Sequence, residues 1–171
     1  EGIKKASAKI NRALIGGALS LGANVEIQDK PGYAPLVNSR DMCDVAIEAT
    51  KIIDGLEVDD REEISSGSTD MGDLCCVMPV VHPYAGGVSG TSHGSDYYIT
   101  NPVDACVGSA KMQMAMLLIL LGNGAERAKK IVAEYKPLFA SKQDYLDFMD
   151  SLIDSGERIE YTNDGNAKVR L

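Results

Sequence analysis

Apolar residues recur at three- and four-residue spacing through Ile3, Ala6, Ile10, Ala13, Leu14, Gly17, Ala18 and Leu21, and Gly22 follows as a stop. This pattern predicts an amphipathic helix over residues 2–21, with Lys4, Lys5, Lys9, Asn11 and Arg12 on its other face. Val25 and Ile27 then alternate with polar neighbours as a short strand that ends at Pro31-Gly32. One helix and one strand cannot enclose a core, so the apolar stripe of the helix is expected to lie open unless another part of the protein covers it. The PGYAP segment, Pro31 to Pro35, combines fixed and freely turning backbone in the manner of a linker, and a domain boundary is expected near residue 37.

Beyond it, Asn38 and Asp41 read as a helix start, and Met42, Val45, Ala46, Ala49, Ile52 and Ile53 as the buried stripe of a helix that stops at Gly55. The acidic stretch Glu57 to Glu63 reads as a solvated loop running into a strand near Ile64. Thr69 to Cys75 fits a short helix, and Val77 to Val81 a buried strand. Asn101-Pro102 opens the longest helix, apolar nearly all round from Met112 to Leu121 and therefore expected to be packed on several sides. Gly122 to Gly124 ends it. Helices over 125–135 and 142–153 follow, the second capped by Ser141 with Asp144 three residues on. Asn163-Asp164-Gly165 between two alternating runs, 158–161 and 167–171, signals a hairpin.

Composition narrows the class. With 171 residues, 44% apolar and 25% charged, the chain has the make-up of a soluble globular protein of one domain or one and a part. Its net charge of −8 and scattered Lys and Arg give nucleic acid no footprint. The apolar run Met112 to Leu121 is about half of the ~20 residues that cross a bilayer, so neither a membrane nor a nucleic acid is expected as partner. Cys43, Cys75, Cys76 and Cys106 lie in apolar or helical surroundings without a CxxC pair, which fits reduced thiols in a cytoplasmic protein. The chain opens on Glu1 inside a helical pattern, and the expectation is a piece of a longer protein.

Candidate chemistry concentrates between Ser65 and Asp96, which holds both histidines and a dense set of glycines. His93 stands in Gly-Thr-Ser-His-Gly, where an imidazole can meet a metal or substrate with little steric cover; a loop histidine taken alone is more often simply solvated. Ser95 and Asp96 are candidates to orient its other nitrogen. Gly67-Ser68-Thr69-Asp70 precedes a helix start, so it offers either an anion-binding turn or an ordinary N-cap. His82, before Pro83-Tyr84, reads as a structural residue or a substrate contact. A cysteine nucleophile would pair Cys75 or Cys76 with His82 or His93 and with Asp70 or Asp73, but thiols at the edge of an apolar run behave as small hydrophobes.

The order of motifs carries more information than any one of them. GSTDMGD (67–73), VMPVVHPY (77–84), GGVSGTSHGSDY (86–97) and a long helix opening VDACVGSAKMQMAM resemble the carboxy-terminal half of the metal-dependent aminoacylase and amidohydrolase family, in its branch of p-aminobenzoyl-glutamate hydrolases. SLGANVEIQDKPGYAPL resembles the last helix and strand of that family's inserted lid. The resemblance implies an α/β fold: residues 1–37 would end an α+β lid that mediates homodimerisation, and 38–171 would form half of a three-layer α/β/α catalytic domain with a mixed sheet. It implies two zinc or manganese ions and hydrolysis of the amide bond of an N-acyl or N-aminoacyl amino acid that keeps a free carboxylate. Carried over by position, His93 is a metal ligand, Gly67, Ser68 and Thr69 contact the substrate carboxylate, Asp70 supports that loop and His82 is a weaker substrate contact. The family's other metal ligands and its catalytic glutamate have no counterpart in this chain, so it would need a missing amino-terminal half and be inactive alone. The alternative is a non-catalytic binding or assembly module with the same fold.

Overall fold

The computed structural model describes residues 2–53, 55, 57–59 and 68–171. In chain order its elements are α1 (Gly2–Ser20), β1 (Glu26–Asp29), α2 (Arg40–Lys51), α3 (Met71–Cys75), β2 (Val88–Ser89), β3 (Tyr98–Ile99), a π-helical turn (Val103–Gly108) leading into α4 (Ser109–Glu134), α5 (Lys142–Asp150), β4 (Asp154–Glu157), β5 (Ile159–Tyr161) and β6 (Ala167–Val169). The chain is thus a mixed α and β protein. Among the described residues its strands form three two-stranded antiparallel sheets, β1-β4, β2-β3 and β5-β6. The strand expected near Ile64 lies outside the described residues.

The contacts divide the chain into two units, residues 1–32 with 141–171, and residues 33–140. One chain crossing falls inside the PGYAP segment, a few residues before the expected boundary at 37. The tail, expected to belong with 38–171, groups instead with the first helix and strand, because β4 runs antiparallel to β1 with Ile27 opposite Gly156 and Asp29 opposite Asp154.

In the first unit α1 packs through a face that meets its apolar stripe only at Ala18. Ile15 is buried with Ile27 and Ile159, and Ala18 and Val25 lie against them. The polar residues Ser7 and Asn11 share that face and donate to Asp29 Oδ2 at 3.0 and 2.6 Å, which fixes the helix on β1 and leaves Ile3, Ile10, Leu14 and Leu21 exposed. Asp154 faces Asp29 across the sheet, and two like charges directly opposite would repel. Two guanidiniums offset them: Arg158 Nη2 lies 2.9 Å from Asp154 Oδ2, and Arg170 Nη2 lies 2.8 Å from Oδ1. Ser141 caps α5 by accepting from Asp144 N at 3.1 Å, and the 163–165 turn joins β5 to β6, as the sequence pattern predicts.

In the second unit α2 and α4 pack together. Val45, Ala46 and Ala49 meet Met112, Ala115, Met116 and Ile131, with Met42, Ile53 and Val81 around them. The helix breaks at Gly122–Ala125, where Asn123, Gly124 and Ala125 take left-handed backbone angles. The expectation that the 112–121 run is covered on several sides does not hold: Met114, Leu117, Leu118 and Leu121 are exposed and with Gly122 line an apolar concavity of about 400 Å³. By length and composition alone Val103–Glu134 could cross a membrane, yet its opposite face is packed on α2. Val77 to Val81 is not a strand. Pro79, in its middle, has no N–H to give to a ladder, and the segment is held by single bonds, from Ser39 N to the Val80 carbonyl at 2.8 Å and from His82 N to Asn38 Oδ1 at 3.0 Å.

Candidate functional site

The loop carrying His93 is built by its glycines and by one carboxylate. β2 and β3 form a short hairpin, Val88 opposite Ile99, and the chain between them doubles back through Gly94 N to the Thr91 carbonyl at 2.7 Å. Asp96 Oδ2 accepts from Thr91 N and from the Thr91 hydroxyl at 3.2 and 3.3 Å. A side chain at Gly90 or Gly94 would collide with Asp96, and Gly90 has a positive φ of 98°. His93 itself sits at φ 63°, a left-handed conformation that costs a non-glycine residue on the order of 1 kcal/mol, and its side chain is exposed. The expectation that Asp96 orients the imidazole is replaced by a different role: it braces the loop through Thr91 while His93 stands at its tip.

Ser68 and Asp70 are exposed and Thr69 is half-buried, just ahead of α3; Gly67 lies outside the described residues. The N-cap role is not filled, since Asp70 makes no side-chain cap bond, and the Thr69 hydroxyl donates to Asp70 Oδ1 at 3.0 Å. His82 is half-buried. Its Nδ1 is buried without a hydrogen-bond partner, and its ring stands 5.1 Å from that of Tyr84, tilted by 39°. Among the described residues no hydrogen bond or ring contact joins His93 to His82 or to the 68–70 turn, and no three of His, Cys, Asp and Glu come together as a metal group.

The cysteine-nucleophile alternative loses its geometry. The Cys75 and Cys76 thiols are buried and both donate to the Gly72 carbonyl, at 3.0 and 3.4 Å. Burial above all, then the neighbouring Cys75 and Asp73, pushes the Cys76 thiol above its ordinary value, which is away from the thiolate that a nucleophile requires. No disulfide links the four cysteines.

What sequence reasoning passed over is the work of α3. Asp73 Oδ1 accepts from Ala34 N at 2.7 Å, and Cys75 Sγ accepts from Val37 N at 3.4 Å. A Cβ on Gly72 would overlap the Ala34 carbonyl. The available signal was Gly72 inside an otherwise acceptable helix, a mark of close backbone approach. Comparison of the chain with protein-family models, curated proteins and solved structures finds no match.

Proposed function

We propose that this chain is the carboxy-terminal part of a dinuclear metal amidohydrolase that cleaves the amide bond of an N-acyl or N-aminoacyl amino acid. The observation that carries the proposal is the order of its motifs, joined to an exposed His93 at the tip of a loop whose glycines and Asp96 leave it little freedom. Non-glycine residues held at positive φ by their surroundings concentrate at functional sites. On this reading Ser68 and Thr69, with Gly67, bind the substrate's carboxylate end, Asp70 holds the Thr69 hydroxyl in place, and His82 lines the site. Residues 1–37 belong to the lid and 38–171 to the three-layer α/β/α catalytic domain on this reading, the lid part providing a homodimer contact through the bare stripe of α1. The protein acts in the cytoplasm, without a membrane or nucleic-acid partner.

The resident group is a pair of zinc or manganese ions, which when bound polarises an amide carbonyl and activates a water. Among the described residues no three of His, Cys, Asp and Glu gather as a metal group, and one imidazole does not hold two ions. The remaining ligands and the general base belong to a preceding half of the same protein, and this chain alone is inactive. A second reading, a non-catalytic assembly module, draws on the exposed apolar residues of α1 and α4.

The test is made on the longer protein that contains this chain. Hydrolysis of aminobenzoyl-glutamate and of a dipeptide panel should stop with a chelator, return with zinc or manganese, and fall by at least a hundredfold in His93→Ala, with loss of bound metal by elemental analysis. A protein that hydrolyses these amides with no response to chelation or to His93→Ala removes the metal assignment. One that binds no divalent metal and hydrolyses none of them favours the module.

A further inference from the structure

The chain leaves the 33–140 unit twice, before Tyr33 and after Ala140, and α3 holds both departing segments. On the first, Asp73 and Cys75 bind the amides of Ala34 and Val37, and Cys75 Sγ also lies 3.6 Å from the Pro35 carbonyl. On the second, the Cys75 carbonyl accepts from the Tyr135 hydroxyl at 2.6 Å, and the Cys76 carbonyl accepts from Phe139 N at 3.1 Å. The side chain and the carbonyl of one residue, Cys75, therefore serve opposite crossings.

A five-residue helix does not stand by its own hydrogen bonds, since nucleation outweighs so few of them. α3 is ordered by what it touches, and both crossings are bonded to it. The 1.5 Å rise per residue also sets the two sets of bonds within one turn of each other. Loss of either set removes support from the element that makes the other.

We propose that α3 is a single conformational clasp that couples the two crossings, so that freeing one loosens the other. This goes beyond the amidohydrolase reading and does not depend on it. Coupling of this kind requires a two-state element that both sites bias, and α3 supplies one: helical and bonded to both segments, or frayed and bonded to neither.

Hydrogen exchange on the whole chain separates a shared clasp from two independent tethers. Asp73→Ala touches only the first crossing, and exchange is read at Phe139. Tyr135→Phe touches only the second, and exchange is read at Ala34 and Val37. Each variant is expected to speed exchange at the crossing it does not touch by about fivefold, the effect of one net hydrogen bond, with the α2 amides of Val45 and Ala49 unchanged. Faster exchange confined to the altered crossing overturns the proposal, and so does an equal rise in α2, which would mark general loosening. Tyr135→Phe leaves the half-buried ring in place and keeps the test available where Asp73→Ala fails to fold.

Discussion

The Arg158–Asp154 pair gives two substitutions with opposite expected signs. The Arg158 side chain is 1% exposed while that of Asp154 is 41% exposed, so the cation is desolvated and its partner is largely wet. Among the described residues none of the three guanidinium nitrogens has a hydrogen bond of good geometry, although Asp154 Oδ2 lies 2.9 Å from Nη2. An Arg has five donors to satisfy, and the buried charge rests on one carboxylate. Breaking a buried pair from one side costs about 3–5 kcal/mol because it strands the other charge. Solvent screening at Asp154 places Asp154→Ala at the low end, about 3 kcal/mol. Arg158→Met removes the buried charge while keeping most of its apolar volume, and such replacements range from neutral to about 2 kcal/mol stabilising; Asp154 then still has Arg170. Since the chain has two units, the assay is urea-dependent amide exchange at Ile159 and Arg158, whose N–H groups bond Asn24 Oδ1 and the Val25 carbonyl, rather than a single global transition. The double variant should lie within about 1 kcal/mol of Arg158→Met, the difference being the loss of the exposed Asp154–Arg170 pair. An Asp154→Ala protein within about 0.5 kcal/mol of the parent, or an Arg158→Met protein about 2 kcal/mol less stable, would show that Arg158 is solvated or bonded to other groups.

Burial raises both Cys76 and Tyr135 above their ordinary values of 9.0 and 10.0. The unfolded chain therefore loses those protons first, and stability should fall as pH rises past about 9; Cys76→Ala should flatten the first part of that decline in a pH series of denaturant midpoints. Asp164 is held below its ordinary 3.8, first by the Thr162 hydroxyl and then by Asn166, so its support of the β5-β6 turn is present above that pH and lost as pH falls through the lowered value. Carboxyl titration by NMR should find its midpoint rising towards 3.8 in Thr162→Val. Ala125 sits at φ 62° beside Gly124 in the α4 break, and Ala125→Gly should gain about 1 kcal/mol in thermal denaturation by removing a left-handed alanine; a loss would mean that the break straightens in solution. Ser141→Ala should cost about 1 kcal/mol in α5 by deleting the cap bond to Asp144 N, read as faster exchange at Asp144.

Patterns that act over a few residues were legible in the sequence. The helices α1 and α2, the stop at Gly122–Gly124, the Ser141 cap and the Asn163-Asp164-Gly165 turn all depend on local backbone geometry, and all form where the pattern placed them. So was the loop that presents His93, since glycines on either side of one histidine dictate a tight bend. Pro79 is equally visible, and its missing N–H argues against the strand that the apolar run around it suggests. What the chain order could not disclose were choices among partners. Asp154-Ser155-Gly156-Glu157 has no strand pattern, yet becomes β4 because β1 offers it a ladder. α1 turns Ser7 and Asn11 inward because Asp29 is there to receive them, against the pull of its apolar stripe. The segment around Gly72 reads as a short helix, and only the fold reveals that the Asp73 carboxylate, the Cys75 thiol and the Cys75 and Cys76 carbonyls tie down segments far away in the chain. Local propensity fixes which elements form; which face is covered and what a small helix holds are decided by distant groups, whose hydrogen bonds and burial no nearest-neighbour pattern records.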